Sequence, residues 1–214
     1  MVLRLDENNF YTLCDQLGKE DNDLKKIITQ YGYPPFWSRK PGFETLVHII
    51  LEQQVSLASA KAALVKLQSR LVTVTADKLL ALTDEELKAC YFSRQKIGYA
   101  RCLAYAIISK QLDLDKLETL PDHDVKSSLI VLPGIGDWTT DIYLMMALHR
   151  TDCFPLGDIA LVNSLKQIKN LAKQTSKEEL NLIADTWKPY RTVAVYLLWH
   201  AYLCKKAARY EVSV

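Results

Sequence analysis

Glycine and proline are scarce in this sequence, each occurring only seven times in 214 residues. A low content of both argues against long loops, repeats and low-complexity tails. The sequence also lacks a large excess of charge of one sign, because 27 lysines and arginines are nearly balanced by 25 acidic residues and the formal net charge is +2. Such a balance does not decide whether the protein binds nucleic acid, since binding depends on a local basic patch that an average hides.

Disulfide and membrane signatures are missing as well. The five cysteines are odd in number, widely scattered and free of metal-ligand spacing, which predicts reduced thiols. No apolar run approaches the roughly 20 residues that cross a bilayer, and the first ten residues lack a secretory signal. We therefore expect no cofactor, no membrane association and an intracellular location, in the bacterial cytoplasm or the eukaryotic nucleus.

Apolar residues recur at helical spacing along almost the whole chain, and few segments alternate as a half-buried strand would. The pattern predicts an all-α fold. Serine, threonine or aspartate followed by an acidic first turn marks several helix starts, as at Thr83 and Ser176. The predicted helices are 6–18, 20–31, 43–52, 57–71, 76–81, 84–90, 94–109, 113–118, 122–131, 137–149, 158–171, 176–186 and 189–208.

A break in helical character at residues 32–43, GYPPFWSRKPGF, holds three of the seven prolines. This composition predicts a connection between two parts of the molecule. We expect N-terminal helices in residues 1–35 that pack with the C-terminal helices, a helical bundle in 36–150, and further helices in 151–214.

The stretch LPGIGDWTTD, residues 132–141, places two glycines between predicted helices. Gly134 and Gly136 can take backbone angles closed to other residues and allow close approach of a partner, while Asp137 suits the N-cap of the next helix. The free N–H groups of such a hairpin can bind a phosphate of a DNA backbone. The alternative is an ordinary turn with glycine after a helix end.

A carboxylate follows this hairpin at a distance. Asp158 comes after the helix-breaking residues Phe154, Pro155 and Gly157 and occupies the expected N-cap of a new helix. Capping alone would explain an aspartate at this position, and a capping residue can also be catalytic.

Taken together, the hairpin and the downstream aspartate resemble the helix-hairpin-helix superfamily of DNA glycosylases, over roughly residues 35–205. The resemblance implies two helical lobes flanking a cleft that binds DNA and holds the active site, with the helix-hairpin-helix motif at 122–149. In that superfamily a catalytic aspartate lies some twenty residues after the hairpin, and Asp158 is 22 residues after Gly136. It would stabilise an oxocarbenium-like sugar or orient a water onto C1′.

Trp138 indicates the branch of the superfamily. Members that also cleave the strand carry a lysine at this position, and an indole cannot form the imine that cleavage needs. The four-cysteine iron-sulfur loop of another branch is not found after Cys204 either. The sequence is similar to the alkylbase branch, the 3-methyladenine DNA glycosylase II type, in a short form without its extra N-terminal domain. In that branch, tryptophans matching Trp138 and Trp199 line the base pocket.

Aromatic side chains are suited to an alkylated base because a cationic ring stacks well against indole faces. Phe36 and Trp37 are candidates to complete the pocket. For Trp199 the alternative is core packing on a long amphipathic helix.

The segment at residues 43–67 matches the one that reaches the DNA minor groove in the family. Gln53, Gln54 and Ser56 occupy its turn, with Gln54 at the position of the side chain that fills the gap left by a flipped nucleotide. The alternative is a polar turn capped by Ser56. The remaining expected DNA contacts are Leu132, Gly134, Ile135, Gly136 and Thr139.

The family also suggests a monovalent cation on the carbonyls of Leu132 and Ile135. No side-chain metal site is expected. A basic helix start containing Arg94, Lys96 and Arg101 would either contact phosphate or remain solvated.

The function predicted from these residues is that of a monomeric, monofunctional DNA glycosylase that removes alkylated purines from duplex DNA. Two alternatives stay open: a non-catalytic helix-hairpin-helix DNA-binding protein, and a glycosylase for oxidised or mismatched bases. Asp158 and the aromatic pocket disfavour the first, and Trp138 disfavours the second.

Overall fold

The structure, a computed structural model, describes residues 3–211 of the chain. Within this range it is helical, with a single isolated β-bridge between Arg4 and Arg150. The all-α prediction is thus confirmed. The helices are α1 (Phe10–Glu20), α2 (Asn22–Tyr31), α3 (Phe43–Glu52), α4 (Leu57–Leu71), α5 (Ala76–Ala81), α6 (Asp84–Ala89), α7 (Arg94–Ile108), α8 (Leu114–Leu117), α9 (Asp122–Ile130), α10 (Asp137–Met146), α11 (Ile159–Ile168), α12 (Lys177–Asp185) and α13 (Arg191–Glu211).

Capping explains where several helices begin. Thr83 and Ser176 each form a complete capping box, as their sequences predict. Helix α1 begins four residues later than predicted, at Phe10, because the carboxylate of Asp6 accepts the N–H groups of Asn8 and Asn9 and closes a turn first. Helix α10 ends at Met146 instead of 149, and His149 beyond it has a φ of +54°.

The chain forms two compact units. The first unit combines the N-terminal segment up to Ser38 with the C-terminal segment from His149, and the second unit is Arg39–Leu148. None of the helices in the described part of the chain is long and apolar enough to span a bilayer. The five cysteines, which all lie in that part, are free thiols.

The first unit is built around α13, which packs against α1, α2 and α11. Residues 192–198 of α13 are all buried, and Phe10 of α1 packs edge-on against Tyr196. The start of α13 is held by Arg191, whose guanidinium pairs with the carboxylate of Asp152 at 2.7 Å. This attachment fixes the segment that leads into α11.

A partly buried ionic network joins the α1–α2 corner to the other side of the first unit. Asp21 is the N-cap of α2, and its carboxylate accepts hydrogen bonds from Lys169 Nζ at 2.7 and 2.8 Å and from the indole N–H of Trp187 at 2.8 Å. Burial raises the pKa of Asp21, but these donors outweigh burial and hold it below its ordinary value.

The second unit contains α3 to α10 around an apolar core. Its α3 is buried along most of its length, and Glu52 at the end of α3 forms a two-pronged ion pair with Arg39, with distances of 2.7 and 2.9 Å. Helices α9 and α10 pack together on either side of the hairpin at residues 131–136. Helix α10 also packs against α3.

Candidate functional site

Asp158 is the N-cap of α11, as the sequence predicts. Its Oδ1 accepts the backbone N–H of Leu161 at 2.8 Å, and its own N–H donates to the carbonyl of Pro155 at 2.9 Å. The side chain is only half-buried. The capping bond fixes the carboxylate at a helix start, where the helix dipole favours a negative charge.

A second donor reaches the same carboxylate from α13. The indole N–H of Trp199 donates to Asp158 Oδ1 at 3.2 Å, across 41 residues of sequence. The indole ring is stacked on Tyr196, with ring centroids 5.9 Å apart and planes 21° apart. Trp37 meets it edge-on at 6.3 Å. Trp199 thus contacts the carboxylate through its indole N–H and also provides aromatic surface beside it.

Of the other two aromatic candidates in the first unit, only Trp37 lies beside Trp199. Phe36 packs instead against Phe10 and His149, with ring centroids 5.2 Å apart in each case. Phe36 is half-buried, and its ring contacts are with these two side chains and Tyr196, whereas Trp37 has the ring contact with Trp199.

Tyr196 is a member of this aromatic group that the sequence reasoning missed. Its hydroxyl donates to the carbonyl of Trp37 at 2.7 Å and its ring supports Trp199. The signal that could have found it is the spacing of three residues between Tyr196 and Trp199, which places both on one face of a helix.

In the second unit, backbone geometry explains one of the two glycines of the hairpin. Gly134 has a φ of +82°, and a Cβ at this position would lie 2.1 Å from Cγ of Tyr99. Gly136 has a φ of −111°, which any residue adopts, and a Cβ there would meet no atom within 4 Å beyond its chain neighbours and its own helix. Gly134 therefore uses the backbone freedom of glycine, whereas Gly136 does not use it and faces open space.

Helix α10 begins at the predicted residue, but its N-cap lies one residue earlier than expected. Gly136 is the N-cap and Asp137 is the first helical residue. The N–H groups of the first turn have no acceptor inside the helix and are the groups that could bind an anion. Ile135 and Thr139 are buried as whole residues, with only 4% and 2% of their surface exposed, so little of either residue faces solvent.

Gln53, predicted to contact DNA, is attached to the hairpin. Its Nε2 donates to the carbonyl of Gly134 at 2.8 Å and to the hydroxyl of Thr139 at 3.0 Å. Gln54 beside it is exposed and has a φ of +58°. Ser56 is the N-cap of α4 and accepts the N–H of Ser59 at 3.1 Å, so the capping interpretation of Ser56 is correct.

Two of the basic residues at α7 have structural partners. Lys96 Nζ donates to the carbonyl of Leu51 at 2.6 Å, and burial lowers the pKa of this lysine. Arg101 binds the carbonyl of Leu82 and the carboxylate of Asp84. Lys96 supports the end of α3, and Arg101 holds α7 against the α5–α6 connection. Arg94 is exposed.

Trp138 is half-buried in the first turn of α10. Nearby, Leu132 accepts the N–H of Ile135 at 3.1 Å, so its carbonyl would offer a cation only its second lone pair. Within residues 3–211 no group of histidine, cysteine, aspartate and glutamate side chains is arranged to hold a metal ion.

Comparison with known proteins places the hairpin residues and Asp158 within the range of one protein family. Residues 47–189 match the HhH-GPD superfamily of base excision DNA repair proteins, a range that contains both the hairpin and Asp158. The chain is 26% identical to a putative DNA-3-methyladenine glycosylase of Bacillus subtilis, over 91% of its own length and 70% of the relative. It is also 26% identical to the alkylbase DNA glycosidase-like protein of Schizosaccharomyces pombe, over 86% and 89% of the two chains.

Solved structures have the same fold. A 3-methyladenine DNA glycosylase of Schizosaccharomyces pombe in complex with abasic DNA superimposes with a TM-score of 0.79 at 24% identity, over 88% of this chain and 95% of that one. A DNA-3-methyladenine glycosidase of Bacillus halodurans gives 0.73 at 28% identity, over 94% and 92%. With the family model covering well over half of its length, this chain belongs to the HhH-GPD superfamily of base excision DNA repair proteins.

Proposed function

We propose that this protein is a monofunctional DNA glycosylase that hydrolyses the N-glycosidic bond of alkylated purines, such as 3-methyladenine and 7-methylguanine, in duplex DNA. The observation that carries the proposal is the carboxylate of Asp158, held by the N–H of Leu161 and the indole N–H of Trp199 beside an aromatic wall. The relatives named as 3-methyladenine glycosylases support the choice of substrate class.

The chemistry follows from the charge that develops at the sugar. As the C1′–N bond breaks, its electron pair leaves with the base, and the sugar becomes an oxocarbenium-like cation. A fixed carboxylate stabilises that cation without reorganising. Water then adds its oxygen to C1′ and loses a proton, and an abasic site remains. Asp158 is the group that we assign to stabilising the cation and orienting the water.

Alkylation favours this reaction because a methylated purine carries a positive charge and leaves as a neutral base. Such a base needs little acid catalysis from the protein. It is also attracted to the faces of aromatic rings, each contact contributing about 0.5 to 2 kcal/mol. Trp37 and Trp199 supply aromatic surface next to Asp158, and Trp138 is the further ring that we assign to binding the extruded base.

The DNA contacts that we propose are the backbone N–H groups of the hairpin and the side chain of Gln54. The hairpin offers N–H groups at a helix start with space in front of Gly136. Gln54 is exposed at the tip of its turn and would occupy the space of the extruded nucleotide. We propose that the protein acts as a monomer, without a cofactor, in the bacterial cytoplasm or the eukaryotic nucleus. The proposal also includes a monovalent cation on the hairpin carbonyls of Leu132 and Ile135.

The two alternatives differ in what they require. A non-catalytic DNA-binding protein needs the hairpin but has no use for a carboxylate fixed by a tryptophan. A glycosylase for oxidised bases shares the fold, as the solved 8-oxoguanine glycosylase/lyase of Clostridium acetobutylicum demonstrates with a TM-score of 0.77. Its 15% identity carries nothing about substrate, so a panel of damaged bases has to distinguish the two kinds of glycosylase.

The test is base release by Asp158→Asn compared with the parent protein, on duplexes containing 7-methylguanine, 3-methyladenine or 8-oxoguanine. Asparagine is as good an N-cap as aspartate, so the helix start is retained while the charge is lost. We expect single-turnover release of methylated bases to fall by roughly 100-fold or more, and affinity for abasic DNA to change by less than about 3-fold.

Asp113→Asn is the matched control, because Asp113 is also an N-cap aspartate and lies on α8 in the second unit. Its release rate should equal that of the parent. Undiminished release by Asp158→Asn would refute the catalytic assignment. Failure of the parent to release any base would favour a DNA-binding role.

A further inference from the structure

Helices α11 and α13 carry the carboxylate and its indole partner, and one buried hydroxyl connects them. Ser164 lies on α11, six residues after Asp158, and the residue is 2% exposed. Its Oγ donates to the backbone carbonyl of Leu198 at 2.6 Å. Leu198 is the residue immediately before Trp199 on α13.

The choice of acceptor is unusual for a serine within a helix. Such a serine commonly donates to a carbonyl of its own preceding turn, as Ser127 and Ser128 do on α9. Ser164 instead donates to a carbonyl 34 residues away in another helix. Leaving a buried hydroxyl without a partner is unfavourable, so the register of α11 and α13 that satisfies this hydroxyl is favoured.

That register decides the distance between Asp158 and Trp199. Asp158 is fixed to the start of α11 by its bond to Leu161, and Trp199 adjoins the carbonyl that Ser164 binds. The rise along a helix is about 1.5 Å per residue, so a slip of one residue would by itself separate the indole N–H from Oδ1 beyond hydrogen-bond range. The existing separation is 3.2 Å, already near the upper limit for such a bond.

We propose that Ser164 is a positioning residue for the carboxylate: through the carbonyl of Leu198 it sets the register of α13, and the indole N–H of Trp199 then orients Asp158. The proposal rests on the catalytic role of Asp158 given above. It assigns Trp199 a second task besides offering aromatic surface, because its ring edge serves the carboxylate while one face is supported by Tyr196.

The experiment measures single-turnover release of 7-methylguanine and affinity for abasic DNA in Ser164→Ala, Trp199→Phe and the double variant. Phenylalanine keeps an aromatic face and removes the N–H. We expect each single variant to lower the release rate about 10-fold and to change affinity less than about 3-fold, since a displaced catalytic group affects kcat more than binding. The double variant should be no slower than Trp199→Phe, because Ser164 acts through Trp199.

Thr45→Val is the matched control for the loss of a buried hydroxyl. Thr45 is also buried and donates to a carbonyl at 2.6 Å, that of Lys40, but it lies in the second unit. It should lower the thermal midpoint about as much as Ser164→Ala without lowering the release rate. Ser164→Cys, which keeps a weak donor of similar size, should recover part of the rate.

Three results would overturn the proposal. The first is release by Ser164→Ala at the parent rate, and the second is a rate loss in the double variant equal to the product of the losses in Ser164→Ala and Trp199→Phe. The third is a rate loss in Thr45→Val equal to that in Ser164→Ala. In each of these cases the parent still releases methylated bases, so the proposed function stands. If the parent releases none, the proposed function fails and the role of Ser164 fails with it.

Discussion

Gly134 and Gly136 look equivalent in the sequence, yet the structure gives them different reasons to be glycine. Gly134 is confined by a positive φ and by the ring of Tyr99, whereas Gly136 has an ordinary φ and open space around it. The first is therefore required by the fold. The second agrees with the proposal that the hairpin binds a DNA backbone, which a glycine allows to approach closely.

Substitution by alanine should separate these two requirements. Gly134→Ala forces a Cβ against the Tyr99 ring at a positive φ, and we expect it to reduce the free energy of unfolding by about 2 to 4 kcal/mol. Gly136→Ala should cost no more than about 1 kcal/mol, the usual effect at an N-cap, yet weaken DNA binding several-fold. Urea unfolding and fluorescence anisotropy with duplex DNA measure the two effects. Equal losses of stability in both variants would contradict this assignment.

Asp158 has a capping role that the sequence predicts and a tertiary contact that the sequence does not predict. A sequence pattern identifies it as an N-cap, and the structure confirms the bond to Leu161. Capping alone would be satisfied by serine or asparagine as well. What distinguishes this aspartate is the indole N–H of Trp199, which local sequence patterns could not provide.

At the scale of elements, the turn after α3 and the hairpin before α10 are joined into one structure. Gln53 bonds the carbonyl of Gly134 and the hydroxyl of Thr139, and Lys96 of α7 holds the carbonyl of Leu51. The sequence predicts both elements as separate candidates for DNA contact. It does not predict their connection, because Gln53 and Gly134 are 81 residues apart.

The corner between α1 and α2 is held to the rest of the first unit by Asp21. Asp21→Asn keeps an N-cap but leaves Lys169, whose side chain is 18% exposed, without its main counter-charge. Loss of one member of a mostly buried pair typically costs about 3 kcal/mol, and we expect that decrease in unfolding free energy at pH 7. Asp84→Asn is the control, because its partner Arg101 pairs with a carboxylate that is 55% exposed.

The same pair predicts how stability depends on pH. The folded pKa of Asp21 lies below its ordinary value of 3.8, so its contribution is fully present well above that pH and is lost as the pH falls through the folded pKa. The difference between the parent and Asp21→Asn should therefore be largest near neutral pH and shrink below about pH 4. Unfolding curves at pH 7 and pH 3 measure it, and a difference that grew in acid would contradict the assignment.

At the scale of the whole molecule, position 138 predicts the product of the reaction, because it holds a tryptophan and not a lysine. An indole cannot form the imine that strand cleavage requires, so the DNA should stay intact until the abasic site is treated with alkali. Trp138→Lys should not create strand cleavage, because a lyase lysine also needs a lowered pKa. Denaturing gels of methylated duplex with and without alkali provide the measurement. Breaks formed by the parent without alkali would rule out a monofunctional enzyme.

The sequence by itself determined the helices, their capped starts, the hairpin and the position of Asp158, because these features depend on spacing and on contacts over three or four residues. It also indicated the family, which the family model confirms over residues 47–189. Only the tertiary structure decided which side chains are neighbours: Trp199 with Asp158, Gln53 with the hairpin, Ser164 with Leu198, and Phe36 with Phe10 and His149 instead of Trp199. The physical reason is that contacts between distant residues follow from how whole helices pack and satisfy their buried polar groups, and local sequence rules do not reach that far.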